Sequence, residues 1–121
     1  MNFSPPIPIL RIFDEAKARE FYLNYLEFEI DWEHRFEENM PLYLQVSKGS
    51  CLIHLSEHHG DGLPGTKLRI ECDDVKAYHQ KLKSKNYKYL NPRIGKQPWA
   101  EQEMVLIDPF GNELIFFKPQ A

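Results

Sequence analysis

Apolar and polar positions along this chain run through one succession of elements twice. Leu10-Arg11-Ile12 alternates apolar and polar. After Asp14, the residues Ala18, Phe21, Tyr22 and Tyr25 recur at three- and four-residue spacing, which predicts an amphipathic helix over 16–25. The same tripeptide returns as Leu68-Arg69-Ile70. It leads through Asp74 to a second stripe, Val75, Tyr78 and Leu82, which predicts a helix over 75–85. Asp14 and Asp74 both stand where a helix N-cap belongs. Strands are predicted over 28–36, 42–47 and 51–55 after the first helix, and over 87–93, 102–107 and 113–118 after the second. Lys48-Gly49-Ser50 reads as a tight turn, and His58-His59-Gly60-Asp61-Gly62-Leu63-Pro64-Gly65 as the connection between the rounds. A literal tripeptide match is weak by itself. Strand, cap and helix in the same order make duplication the better reading. The expected fold is α+β: one domain over 1–121 built of two βαβββ modules, 6–57 and 66–118, each a curved sheet with a helix on its outer face.

The sharpest local pattern is the last hairpin, Met104-Val105-Leu106-Ile107 and Glu113-Leu114-Ile115-Phe116-Phe117 around Asp108-Pro109-Phe110-Gly111-Asn112. Asp108 suits the first turn position, where its carboxylate can accept backbone N–H groups. Pro109 fixes φ at the next position, and Gly111 supplies a positive φ. The final strand is apolar on both faces, Leu114 and Phe116 on one and Ile115 and Phe117 on the other. Such a strand needs cover on both sides, from a helix on one and a ligand cavity or a partner subunit on the other.

Composition narrows the function. At 121 residues the chain can bury one core but not two, and its formal net charge is −3 with Lys and Arg scattered. That argues against a nucleic-acid binder. No apolar run approaches the length of a membrane span, and the N-terminus lacks a basic region and a long apolar run, so a cytoplasmic protein without a signal peptide is expected. Cys51 and Cys72, each in an apolar strand pattern, are expected to be reduced, buried thiols. His54, Glu57, His58, His59 and Asp61 could suggest a metal, but adjacent residues do not share a strand face, and a solvated loop is the simpler reading. His34 and His79 read as surface residues, and no Ser/His/Asp spacing or phosphate loop appears.

The Asp14 strand-to-helix junction with Phe21-Tyr22, the Leu26-Glu27-Phe28 strand entry and Asp108-Pro109-x-Gly111-Asn112 together resemble the vicinal-oxygen-chelate superfamily of glyoxalases, bleomycin-resistance proteins and extradiol dioxygenases, over essentially the whole chain. Gln97-Pro98-Trp99 before the last hairpin and Ile7-Pro8-Ile9-Leu10 at the start resemble its bleomycin-resistance branch. The superfamily's enzymes hold a divalent metal on four inward-facing strand positions. Carried over, these fall at about Ile7, His54, Lys67 and Ile115, with Glu113 the nearest rescue on the last strand. A divalent ion needs several converging donors. The resemblance therefore implies a lost metal site, with His54 its one remaining candidate, and neither a cofactor nor catalysis.

What the branch implies instead is a homodimer with two interfacial clefts and an exchanged N-terminal strand hinged at Pro8, sequestering a bleomycin-class glycopeptide or a similar planar cation. Such a ligand needs aromatic faces to stack on and carboxylates for its cation. Trp99 with Gln97 and Pro98, then Trp32 and Phe36 at even spacing on one strand face, are the candidate stacking residues. Glu33, Glu37, its neighbour Glu38, and Asp61 are the candidate carboxylates. The alternatives are a metal-dependent lyase, transferase or dioxygenase using His54, or a sensor or immunity protein for another small molecule.

Overall fold

The computed structural model describes residues 1–87 and 90–120. The chain forms two compact units, Met1–Pro64 and Gly65–Ala121. Each carries a four-stranded mixed sheet and helix in the order strand, helix, three strands.

In the first unit, β1 (Ile9–Arg11) leads into α1 (Glu15–Arg19), which continues as a π-helical segment, Glu20–Tyr25. Strands β2 (Glu29–His34), β3 (Tyr43–Lys48) and β4 (Cys51–Ser56) follow, and the spatial order is β1-β4-β3-β2 with β1 parallel to β4. The expected cap is present: the Asp14 carboxylate accepts from Lys17 N at 3.0 Å. The helix ends where Glu27 takes φ 63°, which lets Phe28 N donate to Tyr22 O and turns the chain into β2. The whole expected stripe, Ala18, Phe21, Tyr22 and Tyr25, is buried with Leu10, Leu44, Val46, Ile53 and Leu55. Register explains why these strand residues share a face, since Leu10 pairs with Leu55 and Leu55 with Leu44.

In the second unit, β5 (Lys67–Glu71) leads to α2 (Val75–Ser84), then β6 (Arg93–Gln97), β7 (Ala100–Ile107) and β8 (Glu113–Pro119), with spatial order β5-β8-β7-β6. Asp74 caps α2 by accepting from Ala77 N at 3.0 Å. The helix packs on β7 and β8, with Val75 and Leu82 buried and Tyr78 edge-on to Phe116 at 5.2 Å. Met104, Leu106, Leu114 and Phe116 are buried on the same face. No helix among the described residues is long and apolar enough to cross a membrane.

Three sequence expectations are corrected here. The strand expected over 28–36 stops at His34, because Arg35 turns away to donate to Met40 O and to pair with Glu15. The strand expected over 87–93 begins only at Arg93 and runs on to Gln97; Leu90 N closes a turn onto Tyr87 O, and Pro92 has no N–H for a ladder. Lys88 and Tyr89 of that expectation lie outside the described residues. The cysteines are free but half-buried, and Cys72 follows β5 rather than lying in it. Burial pushes the Cys51 thiol pKa up, so it is a poor nucleophile.

Candidate functional site

On the face of the first sheet away from its helix, Ile9 pairs with His54, His54 with Gln45, and Gln45 with Trp32, making one row across all four strands. A bulge between Ile30 and Trp32 throws Asp31 out of the ladder. Asp31 thereby accepts from Ser47 Oγ and Gln45 Nε2, each at 3.0 Å. A carboxylate only accepts, so Gln45 turns its amino group to Asp31 and its carbonyl to His54 Nε2, 2.9 Å away. His54 therefore carries its proton on Nε2, and its Nδ1 accepts from the Tyr43 hydroxyl at 2.7 Å. The Trp32 and Tyr43 rings lie parallel, 6.0 Å apart and 10° between planes, and His54 stands edge-on to both.

Both His54 nitrogens are thus used in the neutral form. Burial depresses its pKa below the ordinary histidine value. Because the folded-state value is the lower one, the contribution of neutral His54 to stability is present above the unfolded pKa of about 6.5 and is lost as pH falls through the folded value. An NMR titration is expected to place the His54 midpoint below that of a free histidine; a midpoint at or above it would contradict the burial that disfavours its charged form. Burial, and then the Asp61 charge, raise the Tyr43 pKa, which keeps its hydroxyl a donor.

On the second sheet, Gln97 pairs with Ala100, so Pro98 and Trp99 are the two residues of the β6–β7 turn. Trp99 is 58% exposed, yet its indole N–H donates to Glu103 Oε2 at 2.8 Å. The same oxygen accepts from Arg69 Nη1 at 3.1 Å, and the Arg69 guanidinium lies 4.3 Å from the Phe117 ring centre. A groove of about 630 Å³ runs along this unit, lined among others by Arg93, Gly95, Gln97, Glu103, Val105 and Ile107. Its lining is apolar at Ile94, Val105, Leu106 and Ile107 and charged at Arg93, Glu103 and Glu113, a composition suited to a flat ligand carrying polar groups.

The sequence candidates separate. Gln97 lines the groove, and Trp99 is tied to a residue that lines it. Trp32 meets Tyr43 and His54 rather than Phe36, which lies beyond the strand end, 81% exposed and edge-on to His34. Glu33 is held by Arg19 at 3.1 Å, and Asp61 accepts from Ser56 Oγ at 2.8 Å, so both are occupied within the chain. Glu37 and Glu38 are exposed beside Phe36. Pro8 precedes β1, and its carbonyl accepts from His54 N at 3.0 Å. His79 is half-buried, with Nε2 3.1 Å from Pro92 O, and not a plain surface residue. Sequence reasoning missed Tyr43, Gln45, Arg69 and Glu103. Tyr43 and Gln45 alternate with buried Leu42, Leu44 and Val46, which already placed them on the other face; that His54 joins them is a fact of register.

The superfamily's metal does not fit these residues. Register brings Ile9, two residues beyond Ile7 and on the same face, opposite His54. The Lys67 ammonium lies 3.6 Å from Glu113, the one carboxylate that could have rescued the last-strand position, and Ile115 is a hydrocarbon. Among the described residues no three His, Cys, Asp or Glu side chains converge.

The family described as "Glyoxalase superfamily protein" matches residues 1–121, and the chain belongs to that superfamily. Its fold is that of solved bleomycin-resistance and antibiotic-binding proteins. One similar structure is the bleomycin-binding protein of bleomycin-producing Streptomyces verticillus complexed with copper(II)-bleomycin, at 24% identity and TM-score 0.75, with 99% of each chain covered. Another is TnmS3, an antibiotic binding protein from Streptomyces sp. CB03234, at 20% identity and TM-score 0.73, again with 99% of each covered. A third is TioX from Micromonospora sp. ML1, at 12% identity and TM-score 0.74, with 98% of this chain and 100% of the other covered. No curated protein sequence matches.

Proposed function

We propose that this protein binds a bleomycin-class glycopeptide, or a similar planar cation, and sequesters it in the cytoplasm without turning it over. The observation that carries this reading is Trp99: a large indole left in solvent on a two-residue turn, yet tied by its N–H to Glu103 in the wall of a groove. An exposed aromatic that is held in place is what a stacking ligand requires. On the first unit, Phe36 is another exposed ring, with Glu37 and Glu38 next to it in the chain. The likeness to antibiotic-binding folds agrees with this reading, and the residues at the superfamily's metal positions argue against the metal-dependent lyase, transferase or dioxygenase alternative. A homodimer with the segment before Pro8 as an arm belongs to the same proposal.

The test is a titration of untagged protein with bleomycin, followed by tryptophan fluorescence, with subunit mass and metal content measured in the same buffer. Saturable quenching at about one drug per subunit in a dimer is expected, and Trp99→Ala should weaken binding by about 1–3 kcal/mol. Unchanged affinity in that variant removes Trp99 from the site. Stoichiometric metal that disappears in His54→Ala removes the non-catalytic reading altogether.

A further inference from the structure

We propose that Glu103 is a positioning residue, which fixes the Trp99 indole in one orientation before any ligand arrives; the consequence for affinity rests on the reading of Trp99 given above. Pro98 and Trp99 are both exposed, and a tryptophan on a two-residue turn ordinarily samples several side-chain rotamers. A ligand that stacks on it must then supply the ordering cost, which lowers its affinity. Here the indole is not left to sample. Its N–H donates to Glu103 Oε2 at 2.8 Å, a charge-assisted bond that a neutral acceptor would make more weakly.

Glu103 is itself well placed to hold a partner still. Its side chain is only 10% exposed, and it lies on β7 directly paired with Phe117 of β8. Arg69 of β5 reaches the same Oε2 at 3.1 Å, and its guanidinium is steadied 4.3 Å from the Phe117 ring centre. The anchor of the turn therefore extends through three adjacent strands. Among the described residues Glu103 Oε1 takes no hydrogen bond, so the carboxylate's one hydrogen-bonded oxygen is the one that holds both Arg69 and the indole. Trp99 stands on the turn and Glu103 four residues on in β7, and the register of β7 shifts between Ala100 and Gln102 on the way.

The test uses a protein whose only tryptophan is Trp99, made by Trp32→Phe. Time-resolved fluorescence anisotropy of the free protein reads indole mobility without any ligand, and bleomycin titration reads affinity. Glu103→Leu should add a fast, large-amplitude component to the anisotropy decay and weaken bleomycin about 10-fold, equivalent to about 1.4 kcal/mol. Glu103→Gln keeps an acceptor oxygen and should restore most of both, which a purely structural role would not do. Arg69→Met should give an intermediate mobility. An indole equally immobile in Glu103→Leu, with its melting temperature unchanged, overturns the proposal. If the indole is freed but bleomycin binds no protein in the series, the positioning role stands and the ligand assignment fails.

Discussion

Replacing Asp108 by alanine is expected to cost about 3 kcal/mol of folding stability, read as a lower urea midpoint at unchanged slope. The side chain is nearly buried, at 4% exposure, and its carboxylate closes the β7–β8 turn on both sides. Oδ1 accepts from Phe110 N and from Asn112 N, each at 2.8 Å, and Oδ2 accepts from the Asn112 side-chain amide at 2.9 Å. Alanine leaves those donors without the carboxylate, and Asn112 is fully buried, so water cannot readily take its place. An unsatisfied buried group costs about 1–3 kcal/mol, more when the lost partner was charged. Asp108→Asn retains one acceptor oxygen and should recover part of the loss. A loss below about 1 kcal/mol for alanine would mean that the turn is held chiefly by the β7–β8 ladder.

Gly62→Ala is expected to be of similar size, about 3 kcal/mol, for a different reason. Gly62 has φ +71°, and a Cβ there would stand 2.8 Å from the Ile9 carbonyl oxygen and 3.3 Å from Arg11 N. Both are backbone atoms of β1, which has three residues and one ladder partner, β4, so relief requires moving the strand. Gly49→Ala separates the two causes. Gly49 has φ +59° with nothing within 4 Å of the added Cβ, so it should show only the left-handed penalty of about 1 kcal/mol. Because β1 holds Ile9 beside His54, Gly62→Ala should also shift the His54 NMR signals, while Gly49→Ala should not. Equal losses in the two variants would show that contact with β1 contributes nothing.

The Asp108 variant probes a place where the sequence was easy to read, whereas the approach of Gly62 to β1 joins distant parts of the chain and shows only in the fold. The Asp108 turn is written in five residues whose backbone preferences agree, and every one acts locally. The helix caps are the same kind of signal, a side chain bonded to an N–H three residues on. The buried stripes were legible because a helix repeats every 3.6 residues whatever it packs against. Legibility failed where strands end. Phe36 continued the alternation of β2 in the sequence, but the charge of Arg35 is drawn to Glu15 and Met40 and ends the strand two residues earlier. It failed again at β6, where the strand expected over 87–93 lies instead at Arg93–Gln97 and pairs with β7 as an exposed edge strand.

The candidate site divides along the same line. Trp99 was visible from its proline-flanked setting, and Trp32 from its strand. The residues that give each one a fixed environment were not. Glu103 and Arg69 are 34 positions apart, as Tyr43 and His54 are 11, and only ladder register brings each pair together. One inserted residue, Asp31 at the bulge, decides which way Trp32 points and supplies the carboxylate that sets the His54 tautomer through Gln45. By itself, then, the sequence determined the repeated βαβββ order, the caps, the last turn and the two helix-facing cores, because each follows from periodicity or from a contact within a few residues. Tertiary structure decided which polar and aromatic side chains meet on the other faces of the sheets, because a one-residue change of register moves every side chain to the opposite face, and register is set by the pairing of distant strands.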